Sequence, residues 1–382
     1  MIYLDNASTT RMDPRVFDAM IPYLGDLYGN PNSPHQMGKQ ARDAVAKARK
    51  QVADLIGAVP EQIVFFHSAT DANRFVFENF DYGRPVVSAA EHSSVLRAAR
   101  NSMDTDDYEL PTVPVMPSGF VSTEILRKYL KDRFPGGNGI DNVASFMLVN
   151  NETGMVNDLN RLRDVVSKYR LWLHTDATAA AGAVKIDVSL LLCNFMTFSS
   201  HKMHGPKGVA ALYLRDPYVA IPHDGTPDVP AIVGFGEACR IQKDLISGNS
   251  YDCDADYDDI ADIFITCLSF CLKNIFHVNA KGREHFSRIL SLRFPGVDAE
   301  TLVMLCSERG LMISAGAACE SSEKRPSHVL TAMGLSPEEA RSSVRVSFSR
   351  MTTKEDCIKG AEILAGCVND LRALNNLEDP EE

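Results

Sequence analysis

The sequence predicts an α/β protein in which helices pack on a largely parallel sheet, and three observations carry that reading. Apolar runs at 63–66, 85–88, 143–149, 171–175, 195–199 and 209–214 alternate with segments of helical pattern. Five of these runs end in polar side chains, and in such folds ligands sit outside the carboxyl ends of the strands. Finally, 382 residues with 45% hydrophobic content can bury a large core and exceed the usual size of one domain.

The elements follow in order. A short strand at 2–4 precedes a helix over 15–27, with Asp13 as N-cap and Pro14 at the first helical position. A longer helix, Gln36–Ile56, follows the turn Asn30, Pro31, Asn32. After the strand at 63–66 come His67, Ser68, Ala69 and Thr70, where a helix start offers backbone N–H groups and the Thr70 hydroxyl to an anion. Glu91 and His92 follow the second strand, and Asn150, Asn151 and Glu152 the third. His174 and Asp176 follow the fourth, and Ser199, His201 and Lys202 the fifth. A histidine or asparagine at one strand end is more often a satisfied cap than a catalyst, so the weight rests on the conjunction.

From about residue 235 the pattern changes to helices at 235–246 and 258–272, short strands at 289–294, 311–314 and 344–348, and a last helix at 353–374. This reads as a second, smaller domain that also recruits the N-terminal strand: a large domain at 13–245, and a small one from 1–12 plus 246–382. The acidic tail NLEDPEE is expected to fray.

Composition narrows the function. A net charge of −11 argues against a nucleic-acid-binding surface as the main business. The start MIYLDNASTT lacks a basic region and an apolar core, and no apolar run is long enough to span a bilayer, so a cytoplasmic protein without membrane contact is expected. The nine cysteines all lie from Cys193 onward, are odd in number and form no CxxC pair, which implies reduced thiols and argues against a structural zinc site or other metal.

The stretch 195–208, FMTFSSHKMHGPKG, is the centre of the chemistry. A lysine directly after an apolar strand is partly desolvated, which leaves a nucleophilic amine suited to a Schiff base with an aldehyde. A plain strand-to-loop junction with a solvated lysine is the alternative. Lysine beside anion donors such as Ser199 and His201 is what a pyridoxal 5'-phosphate (PLP) enzyme requires. Its pyridine nitrogen needs a buried carboxylate, for which Asp176 stands ready; His92 is placed to stack on the ring and Asn151 to meet the phenolic oxygen.

Two features lie outside that set. Cys319, in the loop SAGAACESSEKRP, has small and polar neighbours that do not bury it, whereas Cys193, Cys267, Cys271, Cys306, Cys357 and Cys367 read as inert core thiols; Cys239 and Cys253 stay undecided. Arg345, at an alternate position of SVRVSFS, is expected to face inward and to need an anion, either a ligand carboxylate or an internal Asp or Glu.

The motifs YLDNASTT, SATDAN, EHSSVL, VNNETG, HTDAT, SSHKMHGPKG, SAGAACESS and SSVRVSFSR, in this order, resemble the cysteine desulfurases of the NifS/IscS kind, PLP enzymes of fold type I. The resemblance covers nearly the whole chain and implies a homodimer. In it Lys202 binds PLP, Asp176 pairs with the pyridine nitrogen, and Thr70, Ser199 and His201 hold the phosphate beside Ala69. Arg345 takes the carboxylate of L-cysteine, Cys319 attacks the substrate sulfur, alanine leaves, and the persulfide on Cys319 passes to a sulfur acceptor protein. A selenocysteine lyase or other PLP lyase or aminotransferase, in which Cys319 is dispensable, and a non-catalytic scaffold are the competing readings.

The departures are specific. Ala179 stands where the family usually has the glutamine of DATQ, Ser68 replaces a glycine of the phosphate turn, and SGHK has become SSHK. After Leu214 a glycine-rich insertion is missing, which predicts a more open site, although Gly225 and Thr226 survive and Thr226 is expected to reach the phosphate of the partner subunit. The short C-terminus suggests a specialised acceptor, of which DNA phosphorothioation systems are one known kind.

Overall fold

Runs rich in valine, isoleucine, leucine and phenylalanine become the strands of a seven-stranded and a four-stranded sheet, covered by amphipathic helices, and of a short two-stranded pair. The computed structural model describes every residue except 104–108, 219–224, 248–256, 274, 281–284, 317–325 and 377–382. Its strands are β1 (Ile2–Tyr3), β2 (Ile63–Phe66), β3 (Val86–Ser88), β4 (Thr112–Val113), β5 (Val143–Ser145), β6 (Trp172–Asp176) and β7 (Phe195–Ser199). They continue with β8 (Ala210–Leu214), β9 (His277–Val278), β10 (Ile289–Arg293), β11 (Leu311–Met312), β12 (Ser314–Ala315) and β13 (Ser343–Ser347).

The larger sheet has the order β2-β8-β7-β6-β5-β3-β4, and β8 alone runs against its neighbours. Its central strands β7 and β8 are buried along their whole length, as a sheet with helices on both faces requires. One face packs Phe146, Met196 and Phe198 against Val52, Ile56 and Phe235 from helices Gln36–Ile56 and Val229–Ile246. The other packs Val76, Phe77, Val95 and Phe195, with Trp172 stacked on Phe195 at 5.6 Å between ring centroids.

A second core gathers Leu4, Phe264, Leu292, Val346, Phe348 and Leu364 around the antiparallel sheet β12-β13-β10-β9. Strand β1 joins it by pairing in parallel with β11, which carries the beginning of the chain to the far end of the sequence. No described helix is long and apolar enough to cross a membrane.

Local chemistry sets most element boundaries. Asp13 accepts from the Arg15 amide at 2.9 Å and caps helix Pro14–Leu24, which ends before Gly25 rather than at residue 27. The helix expected from 235 starts earlier, at Val229, because Asp228 accepts from the Ala231 amide at 2.9 Å and Pro230 fits the first turn. The run 143–149 leaves the regular strand after Ser145, yet Leu148 still donates to Asp176 O at 3.1 Å, so its end stays beside β6. The expected strand 311–314 divides into β11 and β12, which pair with β1 and β13 respectively. Strand β4 lies outside the sequence expectation.

Candidate active site

The carboxyl ends of the parallel strands, the start of helix Ala69–Phe80 and the segment after β1 enclose a cleft of about 620 Å³. Of the residues singled out from sequence, Lys202, Asp176, His92, Ala69, Thr70, Asn151, Ser199, His201 and Arg345 all line it.

At the helix start, Ser68 is the N-cap: its hydroxyl accepts from the Asp71 amide at 3.1 Å and donates to Asp71 Oδ2 at 2.7 Å. Its backbone, at φ −150° and ψ 159°, is extended, so serine occupies the family's glycine position without strain. The amides of Ala69 and Thr70, which belong to the first helical turn and find no intrahelical carbonyl, stand at the cleft wall.

Asp176 closes β6, and its carboxylate is held by neutral donors: Asn73 Nδ2 at 3.0 Å and the Thr178 amide at 2.9 Å. His92 caps helix Ser93–Asn101, with Nδ1 2.7 Å from Ser94 Oγ, and burial holds its pKa below the ordinary value against the pull of Asp176. A neutral imidazole therefore faces the cleft.

Two strand-end residues expected in this set lie beneath it. His174 is fully buried within β6, with Nδ1 2.8 Å from Ser145 Oγ and Nε2 3.2 Å from Thr197 Oγ1. Burial depresses it to about 4. The strand runs on to Asp176, which leaves His174 too deep to reach the cleft. Glu91 is also sealed, accepting from the Met147 amide at 2.7 Å and Ser145 Oγ at 3.3 Å, and burial raises it to about 8. Asn150 is structural too: its Oδ1 takes the amides of Glu152 and Thr153, each at 2.9 Å, and so closes the turn that presents Asn151.

Lys202 ends a short 3-10 turn, Ser200–Lys202, and its amine meets the N-terminal segment, donating to Ala7 O and, at 2.9 Å, to Ser8 O. The buried Arg288, just before β10, donates to Lys202 O at 3.0 Å and anchors the turn. His201 Nδ1 lies 3.1 Å from Thr9 Oγ1, and burial first, then Lys202 and Lys207, lower its pKa to about 4.

Arg345 is buried on β13, as expected, but all five residues of that strand are buried, so alternation alone does not account for it. Its Nη2 donates to Asp5 Oδ1 at 2.9 Å and Ser8 Oγ at 2.6 Å, and its Nη1 to Asn151 O at 3.0 Å. Nε is buried without a partner among the described residues. The internal ion pair and an open donor thus coexist.

Ala179 lines the cleft, so a methyl stands where a glutamine was expected from the resemblance. Thr226 is exposed, accepts from Asn30 Nδ2 at 3.3 Å and is not among the lining residues of its own chain. Cys319 and Cys253 lie outside the described residues, although Gly316 and His328, on either side of 317–325, both line the cleft. Cys239 is buried, 3.8 Å from Met203 Sδ. Cys271 departs from expectation: it is exposed, not part of the core.

Sequence reasoning missed Asp5, Ala7, Asn73 and His328. Asn73 carried a signal, being a polar residue on the same helical face as Ala72, Val76 and Phe77.

The family model described as aminotransferase class-V matches residues 2–222 and 220–359. The chain belongs to this family. It is 34% identical over 397 residues to the cysteine desulfurase IscS of Neisseria meningitidis serogroup C (strain 053442), covering 98% of this chain and 94% of that protein. A solved NifS-like protein superposes with a TM-score of 0.83 at 28% identity, covering 97% of this chain and all of the other (100%). The structure of SspA in complex with cysteine superposes at 0.76 with 26% identity, covering 92% and 100% of the two chains. This class-V member is therefore of the NifS/IscS kind, with fold type I and PLP as its cofactor.

The cleft of this class-V member fits that group. Asp176 offers a carboxylate held by the neutral donors Asn73 Nδ2 and the Thr178 amide, suited to a protonated ring nitrogen, and the Thr178 hydroxyl beside it is buried without a partner among the described residues. The amides at the start of helix Ala69–Phe80 suit a phosphate.

Proposed function

We propose that the protein is a PLP-dependent L-cysteine desulfurase that converts L-cysteine to L-alanine and places the released sulfur on Cys319 as a persulfide. The observation that carries this reading is the convergence, in one cleft, of Lys202, Asp176 and Arg345, whose buried Nε has no partner among the described residues. Lys202 would hold the aldehyde carbon of the cofactor, and Asn151 its phenolic oxygen. Ala69, Thr70, Ser199 and His201 would hold its phosphate, with Thr226 reaching the phosphate site across a homodimer. His92 covers the ring face with a neutral imidazole, which burial favours. Bound PLP supplies the electron sink that makes loss of the substrate α-proton feasible.

Around it, Arg345 binds and orients the substrate carboxylate, and Lys202 Nζ takes and returns protons near the α-carbon. The Cys319 sulfur then bonds to the substrate sulfur as the Cβ–S bond breaks, and a proton on Cβ completes alanine. The balance is L-cysteine plus the Cys319 thiol giving L-alanine plus the Cys319 persulfide. An acceptor protein then takes the sulfur, and DNA phosphorothioation is one pathway that would use it. Residues 13–245 would form the cofactor domain, and 1–12 with 246–382 the domain that carries Cys319.

A homodimer is supported by the apolar stripe Phe17, Ile21 and Leu24 on helix Pro14–Leu24, exposed at 52, 48 and 64%. Composition supports a cytoplasmic setting. The test is Cys319→Ala: alanine and sulfide production from L-cysteine should fall to background while the visible cofactor band stays. Undiminished turnover would overturn the desulfurase mechanism in favour of a lyase that needs no thiol.

A further inference from the structure

The donors of Arg345 can be counted. A guanidinium carries five N–H groups, two on each terminal nitrogen and one on Nε. Both Nη2 hydrogens are committed, one to Asp5 Oδ1 at 2.9 Å and one to Ser8 Oγ at 2.6 Å. One Nη1 hydrogen goes to Asn151 O at 3.0 Å, and Nε is buried and unpartnered among the described residues. A carboxylate that binds bidentately takes either Nε with the parallel Nη2 hydrogen or one hydrogen from each terminal nitrogen. Each of these forks uses Nη2, so neither is available while Asp5 and Ser8 both hold it.

The two holders are themselves joined, since Ser8 Oγ donates to Asp5 Oδ1 at 2.8 Å. Their burial is unequal: the Arg345 side chain is 4% exposed and that of Asp5 is 19% exposed. The arginine is fixed in the protein interior, whereas the aspartate retains contact with water and can turn away at lower cost.

We propose that Asp5 is a specificity-determining residue that stands in for the substrate α-carboxylate at Arg345 in the free enzyme and is displaced when the amino acid binds. The inference rests on the assignment of Arg345 as the carboxylate-binding group. Asp5 compensates a buried guanidinium before substrate arrives, and the arriving carboxylate replaces a charge rather than adding one. Asp5 therefore lowers affinity for every ligand that uses Arg345 and leaves ligands without a carboxylate untouched.

The test uses the PLP-loaded enzyme carrying Asp5→Asn, which keeps the shape and an acceptor oxygen but removes the charge. L-alanine binding, followed by the visible band, should tighten about tenfold. KM for L-cysteine should fall in parallel while kcat changes far less, and binding of cysteamine, which lacks the carboxylate, should not move. Unchanged or weaker L-alanine binding in a variant of normal melting temperature overturns the proposal, as does an equal shift for cysteamine. If Asp5→Asn does not fold, Ser8→Ala frees one Nη2 hydrogen and should also tighten L-alanine binding; no change or weakening there overturns it equally. Arg345→Gln keeps the two readings apart: it should weaken L-alanine binding, and if it does not, the assignment of Arg345 fails whatever Asp5 shows.

Discussion

The amine of Lys202 and the carbonyl oxygen of Ser8 are 2.9 Å apart, although 194 positions separate them in the chain. The N-terminal segment is thus a wall of the active site, delivered there by the pairing of β1 with β11.

Lys202→Ala should lose the visible cofactor band of a Schiff base and reduce kcat on the order of 10³-fold or more. Removing residues 1–9 should also impair activity, because it takes away strand β1 and the Ala7 and Ser8 carbonyls that meet the Lys202 amine. Absorption spectra and steady-state rates check both, and a truncated enzyme with wild-type kcat and KM would refute the wall.

Glu91 provides a pH signature. Burial, opposed by its bond from the Met147 amide and reinforced by the nearby Asp176 charge, raises its carboxyl to about 8. A carboxyl raised in the folded state contributes stability that is complete below the ordinary carboxylate range and is lost as pH rises toward and through that value. Glu91→Gln, neutral throughout, should therefore gain about 3–6 °C in melting temperature relative to the wild type between pH 5 and pH 8. A difference that does not change with pH would show that Glu91 is not held neutral.

Asp13 behaves in the opposite sense. Burial alone would raise its carboxyl, but the hydrogen bonds from Arg15 and from the buried Arg350 outweigh it and hold the group well below the carboxylate range. Its contribution is present above that range and lost as pH falls. Asp13→Ala should cost about 3–5 kcal/mol, because it leaves the Arg350 charge buried and uncompensated. Adding Arg350→Leu should recover part of that loss in denaturant titrations; no recovery would mean that the cap, not the ion pair, accounts for the cost.

Much of the fold was legible because its signals are local. Helix Gln36–Ile56 and strands β2 and β7 appear with the bounds read from periodicity, and Asp13 with Pro14 announces a helix start within two residues. The rule that ligands sit beyond strand carboxyl ends then located Asp176, His92, Asn151 and Lys202 at the cleft. It failed for His174 and Glu91. His174 shares a strand face with Asp176, and only the depth at which β6 stops separates a buried hydrogen-bonded imidazole from a cleft residue.

By itself the sequence determined the α/β alternation, the caps and most of the side chains that line the cleft, since periodicity and capping act over a few residues. The tertiary structure alone decided which groups meet: Asp5 with Arg345, 340 positions apart, Asn73 with Asp176, 103 apart, and Arg288 with the Lys202 turn. Such pairings depend on strand order and on helices laid across the sheet, and no local pattern of side chains encodes the distance between two segments that fold together.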